Sequence, residues 1–129
     1  MTDVSLTAEQ TRRLLGLVGL GYRARNAVVG VQMVRDAAMR GRLKFAIVAP
    51  DVSRHSLDKL VPLLTAKRIR FVMGPSGVEL GHAVGRESTA AVGIVNGQLA
   101  RGMRELLAAA GADTAQGKSA DDARQGGID

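Results

Sequence analysis

The chain of 129 residues has no cysteine and no tryptophan. Without cysteine there can be no disulfide, no zinc-thiolate centre and no thiol nucleophile. Other aromatic side chains are nearly as scarce: Tyr22, Phe45 and Phe71 complete the set. Both phenylalanines sit in apolar runs that read as strands, so the chain lacks the aromatic platforms on which single-strand readers stack successive bases. No apolar run approaches the ~18 residues of a membrane span. No early basic segment is followed by the apolar stretch of a secretory signal. These absences fit a cytoplasmic protein.

What the chain does have is positive charge. The formal net charge is +6, and the sequence pI is about 10.8. Residues 113–129 hold Asp113, Asp121, Asp122 and Asp129 against Lys118 and Arg124, so residues 1–112 carry +8. A surplus of this size attracts polyanions, with an affinity that falls steeply as salt rises. With stacking excluded, a nucleic-acid partner has to be held through backbone shape, phosphates and polar side chains.

Hydrophobic periodicity divides the chain into alternating helices and strands. Thr7 and Gln10 form a capping box ahead of a helical face of Leu14, Leu15, Leu17 and Val18, which the glycines at 19 and 21 are expected to end. A short strand follows at residues 26–29. Gly30 then opens a helix with Val31, Val34, Ala37 and Ala38 on its apolar side. Residues 43–49 are apolar at nearly every position, as a strand covered on both faces requires. Ser53 caps the next segment. Pro62 would cost ~3 kcal/mol inside a helix, so one turn over 54–60 and a new helix beginning near Pro62 are expected. Strands at 69–73 and 90–95 flank a helix capped by Ser76 and Glu79 and ending at Gly85. A last helix covers 98–110. The alternation predicts one α/β/α sandwich over residues 1–111, with helix layers on both sides of a central four-stranded mixed sheet. Residues 112–129 are polar and small, and are expected to be disordered.

Catalytic and cofactor motifs are wanting. The glycine-rich run at 16–21 lacks the dinucleotide spacing and follows a helix rather than a strand, and no phosphate-binding loop ends in Lys-Ser or Lys-Thr. His55 and His82 are the only histidines. Ser53, Ser56, Asp51 and Asp58 lie near His55, yet no nucleophile elbow surrounds a serine. Asp51 and Asp58 have no further carboxylates to complete a metal site. No enzyme activity, cofactor or metal is therefore expected. The more telling segments flank the first strand. Arg23, Arg25 and Asn26 lead into it, and Gly30 to Arg35 open the following helix. A glycine at that point allows close backbone approach to a ligand, and the first helical amides suit a phosphate. Gln32 offers both a donor and an acceptor, and Arg35 a planar fork one turn further in.

Two stretches, 30–53 and 60–95, resemble the ribosomal L-seven-Ae / L-thirty-e superfamily, and in particular its bacterial YlxQ-like members. The likeness spans about residues 10–108. It is carried by the Gly30 to Gly41 interval, the Val-Ala-Pro-Asp strand end at 48–51, Pro-Leu-Leu at 62–64 and Leu-Gly-His-Ala-Val-Gly at 80–85. The resemblance implies an α/β/α sandwich that binds kink-turn RNA with two loops at one end of its sheet. The first is the helix start, where the superfamily pattern is Gly, a small residue, Asn, Glu, two variable positions and Lys. Here those positions are Gly30, Val31, Gln32, Met33, Val34, Arg35 and Asp36. Gln32 stands for Asn, Met33 for Glu and Asp36 for Lys, and Arg35 offers a cation one position early. The second loop holds Arg86, Glu87, Ser88 and Thr89, with Ser88 or Thr89 placed against an extruded nucleotide.

The resulting expectation is a non-catalytic RNA-binding protein of the translation apparatus. Its partner would be structured RNA, ribosomal RNA included, with a protein partner in the same ribonucleoprotein. The candidate site is Arg25, Asn26, Gly30, Val31, Gln32, Met33, Arg35, Arg86, Glu87, Ser88 and Thr89. The resemblance also implies two other uses of the sandwich. One is a protein-interaction module, to which Met33 would add an adaptable apolar contact. The other is an accessory to a methyltransferase residing in a partner.

Overall fold

The computed structural model describes residues 6–111, so the polar segment 112–129 lies outside the described residues. Nine elements alternate: α1 (Ala8–Arg23), β1 (Ala27–Val29), α2 (Val31–Met39), β2 (Phe45–Val48), α3 (Arg54–Ala66), β3 (Phe71–Met73), α4 (Gly77–Ala83), β4 (Ala91–Ile94) and α5 (Gly97–Gly111). The strands form one mixed sheet in the order β1-β4-β2-β3. β4 runs antiparallel to both neighbours, with Val29 opposite Val92 and Val48 opposite Ala91. β2 and β3 are parallel. Hence β1, β2 and β3 point the same way, and all the helix-to-strand loops that precede them arrive at one end of the sheet.

Period-two alternation of side chains divides the core between two faces. Phe45 and Ile47 pack with Leu14, Val18, Leu80, Val84, Ala100 and Met103, beneath α1, α4 and α5. Ala46 and Val48 pack with Val34, Ala37, Ala38, Leu60 and Leu64, beneath α2 and α3. The fold is thus the α/β/α sandwich expected from periodicity. Both capping boxes form: Thr7 with Gln10 starts α1, and Ser76 with Glu79 starts α4.

Two helix boundaries differ from the sequence reading. First, α1 does not end at Gly19 and Gly21 but runs on to Arg23, with both glycines buried. A Cβ on Gly21 would come within 2.4 Å of Leu99 Cδ2, and one on Gly19 within 3.2 Å of the Ala83 carbonyl oxygen. These glycines make room for α5 and α4 rather than terminating the helix. Second, α3 is continuous through Pro62. Leu60 and Leu64 are fully buried on either side of it, while Pro62 and Asp58 face solvent. Water can therefore satisfy the Asp58 carbonyl that the proline leaves without its helical donor, and the unbroken apolar face holds the helix together.

Candidate nucleic-acid interface

The end of the sheet where β1 stops is also where β4 begins, because the two strands are antiparallel. Two distant segments meet there. The Gly30 amide donates to the Ala91 carbonyl at 2.9 Å, which places the start of α2 beside the loop that enters β4. Gly30 is the N-cap of α2, at φ 98° and ψ 157°, a conformation that costs little only for glycine. No side chain caps this helix, and a Cβ on Gly30 would meet nothing within 4 Å. Val34 is the first residue to bond back, to the Gly30 carbonyl at 3.0 Å. The amides of residues 31–33 therefore open the helix and carry the positive end of its dipole.

The loop at 85–90 is seated on α4 by two glycines four residues apart. A Cβ on Gly81 would lie 2.3 Å from Ser88 Cα, and one on Gly77 would lie 3.2 Å from the Thr89 carbonyl oxygen. Arg86 N–H donates to the Gly81 carbonyl at 2.8 Å, and Thr89 N–H to that of Gly77 at 3.0 Å. The Gly77 amide in turn donates to Asp51 Oδ1 at 2.9 Å, tying α4 to the end of β2. Gly77 and Gly81 are thus positioning residues that the sequence reading of the site missed. Their signal was the four-residue spacing, which puts both on one helix face.

The structure brings together Gly30, Val31, Gln32, Met33 and Arg35 on one side and Arg86, Glu87, Ser88 and Thr89 on the other. It separates Arg25 and Asn26 from them. Those two residues precede β1 at the opposite end of the sheet, about 13 Å away at the usual rise of ~3.3 Å per strand residue. Asn26 there uses its carbonyl to accept from Val95 N–H at 2.9 Å. Arg35 is also drawn aside: its Nη1 donates to the Lys59 carbonyl of α3 at 2.5 Å. Gln32 Nε2 donates to Asp36 Oδ1 at 3.1 Å, so two of the positions that depart from the superfamily pattern are partnered with each other. Met33 is 51% exposed. Arg86, Glu87 and Ser88 are exposed and Thr89 half-buried.

This end of the sheet is close to neutral. Segments 30–36, 49–59, 74–82 and 85–90 hold Arg35, Arg54, Lys59 and Arg86 against Asp36, Asp51, Asp58, Glu79 and Glu87. This end therefore presents backbone amides, shape and polar side chains rather than a strong positive field. Among the described residues, no group of three or more His, Asp or Glu could hold a metal ion, and no helix is long and apolar enough to cross a membrane.

Solved structures share this architecture. A protein of unknown function from Bacillus halodurans C superposes with a TM-score of 0.69 at 25% identity, covering 74% of this chain and 96% of its own. A 15.5kD RNA binding protein of Giardia lamblia also gives 0.69, at 21% identity, covering 81% of this chain and 92% of its own. No curated protein matches the sequence. The model of the Ribosomal protein L7Ae/L30e/S12e/Gadd45 family matches residues 13–101, well over half of the chain, and the chain belongs to that family.

Proposed function

We propose that this chain is a non-catalytic, cytoplasmic RNA-binding protein of the translation apparatus, and that it grips a kink-turn-like or ribosomal RNA with the start of α2 and the loop 85–90. The observation that carries this reading is the Gly30–Ala91 hydrogen bond. It joins an uncapped helix N-terminus to a loop whose residues 86–88 are exposed. A phosphate or purine edge seated there meets the amides of residues 31–33, while a neighbouring nucleotide leans on Ser88 and Thr89. Family membership and the RNA binding stated for the Giardia lamblia neighbour support RNA as the partner.

One observation favours a protein partner instead: Met33 is half-exposed at the mouth of a surface without excess positive charge. The test is filter binding with a kinked stem and a straight duplex of equal length. The wild-type chain should prefer the kinked RNA. A variant carrying Gln32→Asn, Met33→Glu and Asp36→Lys restores the superfamily pattern at three exposed positions. It should raise affinity for the kinked RNA by about tenfold or more, since one charge-assisted hydrogen bond contributes ~1.5–3 kcal/mol. Equal binding of both RNAs by both proteins would sink this reading. A partner captured by Met33 and retained after RNase treatment would then favour the protein-interaction alternative.

A further inference from the structure

The charge that first pointed to a polyanion lies mainly at the other end of the sheet. Because β1, β2 and β3 are parallel, the loops at 23–26, 40–44 and 67–70 arrive side by side. They hold Arg23, Arg25, Arg40, Arg42, Lys44, Lys67, Arg68 and Arg70, with no carboxylate among them. Residues 95–97, which leave β4 at the same end, add none. All eight side chains are exposed. None donates a side-chain hydrogen bond or joins an ion pair among the described residues. At ~4.8 Å between strands, the four-stranded edge presents these cations across roughly 14 Å.

Helix dipoles do not account for them. α1, α2 and α3 end at this face, and three C-termini supply about −1.5 elementary charges in all. Eight cations exceed that several-fold. Backbone geometry points the same way. The three loops turn alike, with Arg25 at φ 65°, Gly41 at φ 73° and Arg68 at φ 58°. Glycine suits this left-handed position best, yet two of the three loops place an arginine there.

We infer that this face is a second RNA-contacting surface, distinct from the α2 and 85–90 loops, and that it lies on the sugar-phosphate backbone of double-helical RNA. That the polyanion is RNA rests on the function proposed above; the surface itself does not. A duplex fits better than a single strand, because Tyr22 is the one aromatic exposed near this end and successive bases need several such platforms. A duplex read by shape needs only phosphate and 2′-hydroxyl contacts. A folded RNA seated at the opposite loops could reach this face with a neighbouring helix.

The test compares two triple variants of the full chain. One carries Arg42→Gln, Lys44→Gln and Arg70→Gln. The other, a control with the same change in net charge, carries Arg12→Gln, Arg13→Gln and Arg101→Gln on the outer faces of α1 and α5. Affinities for the kinked stem and the straight duplex are measured from about 50 to 300 mM salt, with thermal melts to confirm folding. The first variant should lose tenfold or more in affinity for both RNAs, and its salt slope should fall by up to about three units. Its preference for kinked over straight RNA should stay that of the wild type. The control should keep most of its slope. A wild-type slope in the first variant, or an equal loss in the control, overturns the second surface and leaves the proposed α2 site standing. Loss of slope without any preference for kinked RNA in the wild type would have the reverse meaning.

Discussion

Arg68→Gly should make the protein more stable. Arg68 follows the last turn of α3, its amide bonded to the Thr65 carbonyl at 3.0 Å, with φ 58°. A left-handed backbone costs an L-residue with a side chain roughly 1–2 kcal/mol. Glycine escapes that cost but gives up ~0.4–1 kcal/mol through its freer unfolded chain. The Arg68 side chain is exposed and makes no hydrogen bond or ion pair among the described residues, so its loss removes none. The balance favours glycine by about 0.5–1 kcal/mol, which in a domain of this size is roughly 2–6 °C in Tm. Gly41 supplies the mirror experiment. It holds the matching position after α2 at φ 73°, and a Cβ there meets nothing within 4 Å. Gly41→Ala should therefore lower Tm by a similar amount through the backbone alone. Thermal unfolding by circular dichroism at fixed salt reads both. A fall in Tm for Arg68→Gly, or shifts of the same sign in the two variants, would refute the reasoning. If the second RNA surface is right, Arg68→Gly gains stability while losing affinity for duplex RNA.

Two further outcomes probe the seating of the 85–90 loop on α4 and the continuity of α3. Gly81→Ala forces a methyl group into the backbone of Ser88 and should destabilise by about 1–3 kcal/mol; an unchanged urea midpoint would mean that the 85–90 loop is not seated on α4. Pro62→Ala restores a helical donor at a solvent-facing position of α3, and should raise Tm by a few degrees, since proline disfavours a helix interior by ~3 kcal/mol while stiffening the unfolded chain. A drop in Tm would show that the proline ring makes contacts that outweigh the missing hydrogen bond.

Features set by neighbours in sequence were legible from the residues. The capping boxes at Thr7 and Ser76 need only side chains three positions apart, and the two central strands β2 and β4 were visible because burial on both faces demands an unbroken apolar run. The start of α2 was readable for the same reason, as Gly30 carries its own backbone preference. Features set by partners far along the chain were not. Gly21 reads as a helix end until Leu99 packs over it. Arg35 reads as a free planar fork, and only the packing of α2 on α3 shows its Nη1 donating to the Lys59 carbonyl. Arg25 and Asn26 look adjacent to Gly30, yet one short strand carries them to the other end of the sheet.

Composition by itself determined that the chain is basic, poor in aromatics and suited to a polyanion held without stacking. Only the tertiary structure decided where that charge lies. Strand direction is a property of pairing, so the parallel run of β1, β2 and β3 was needed to gather eight cations at one end and leave the α2 end nearly neutral.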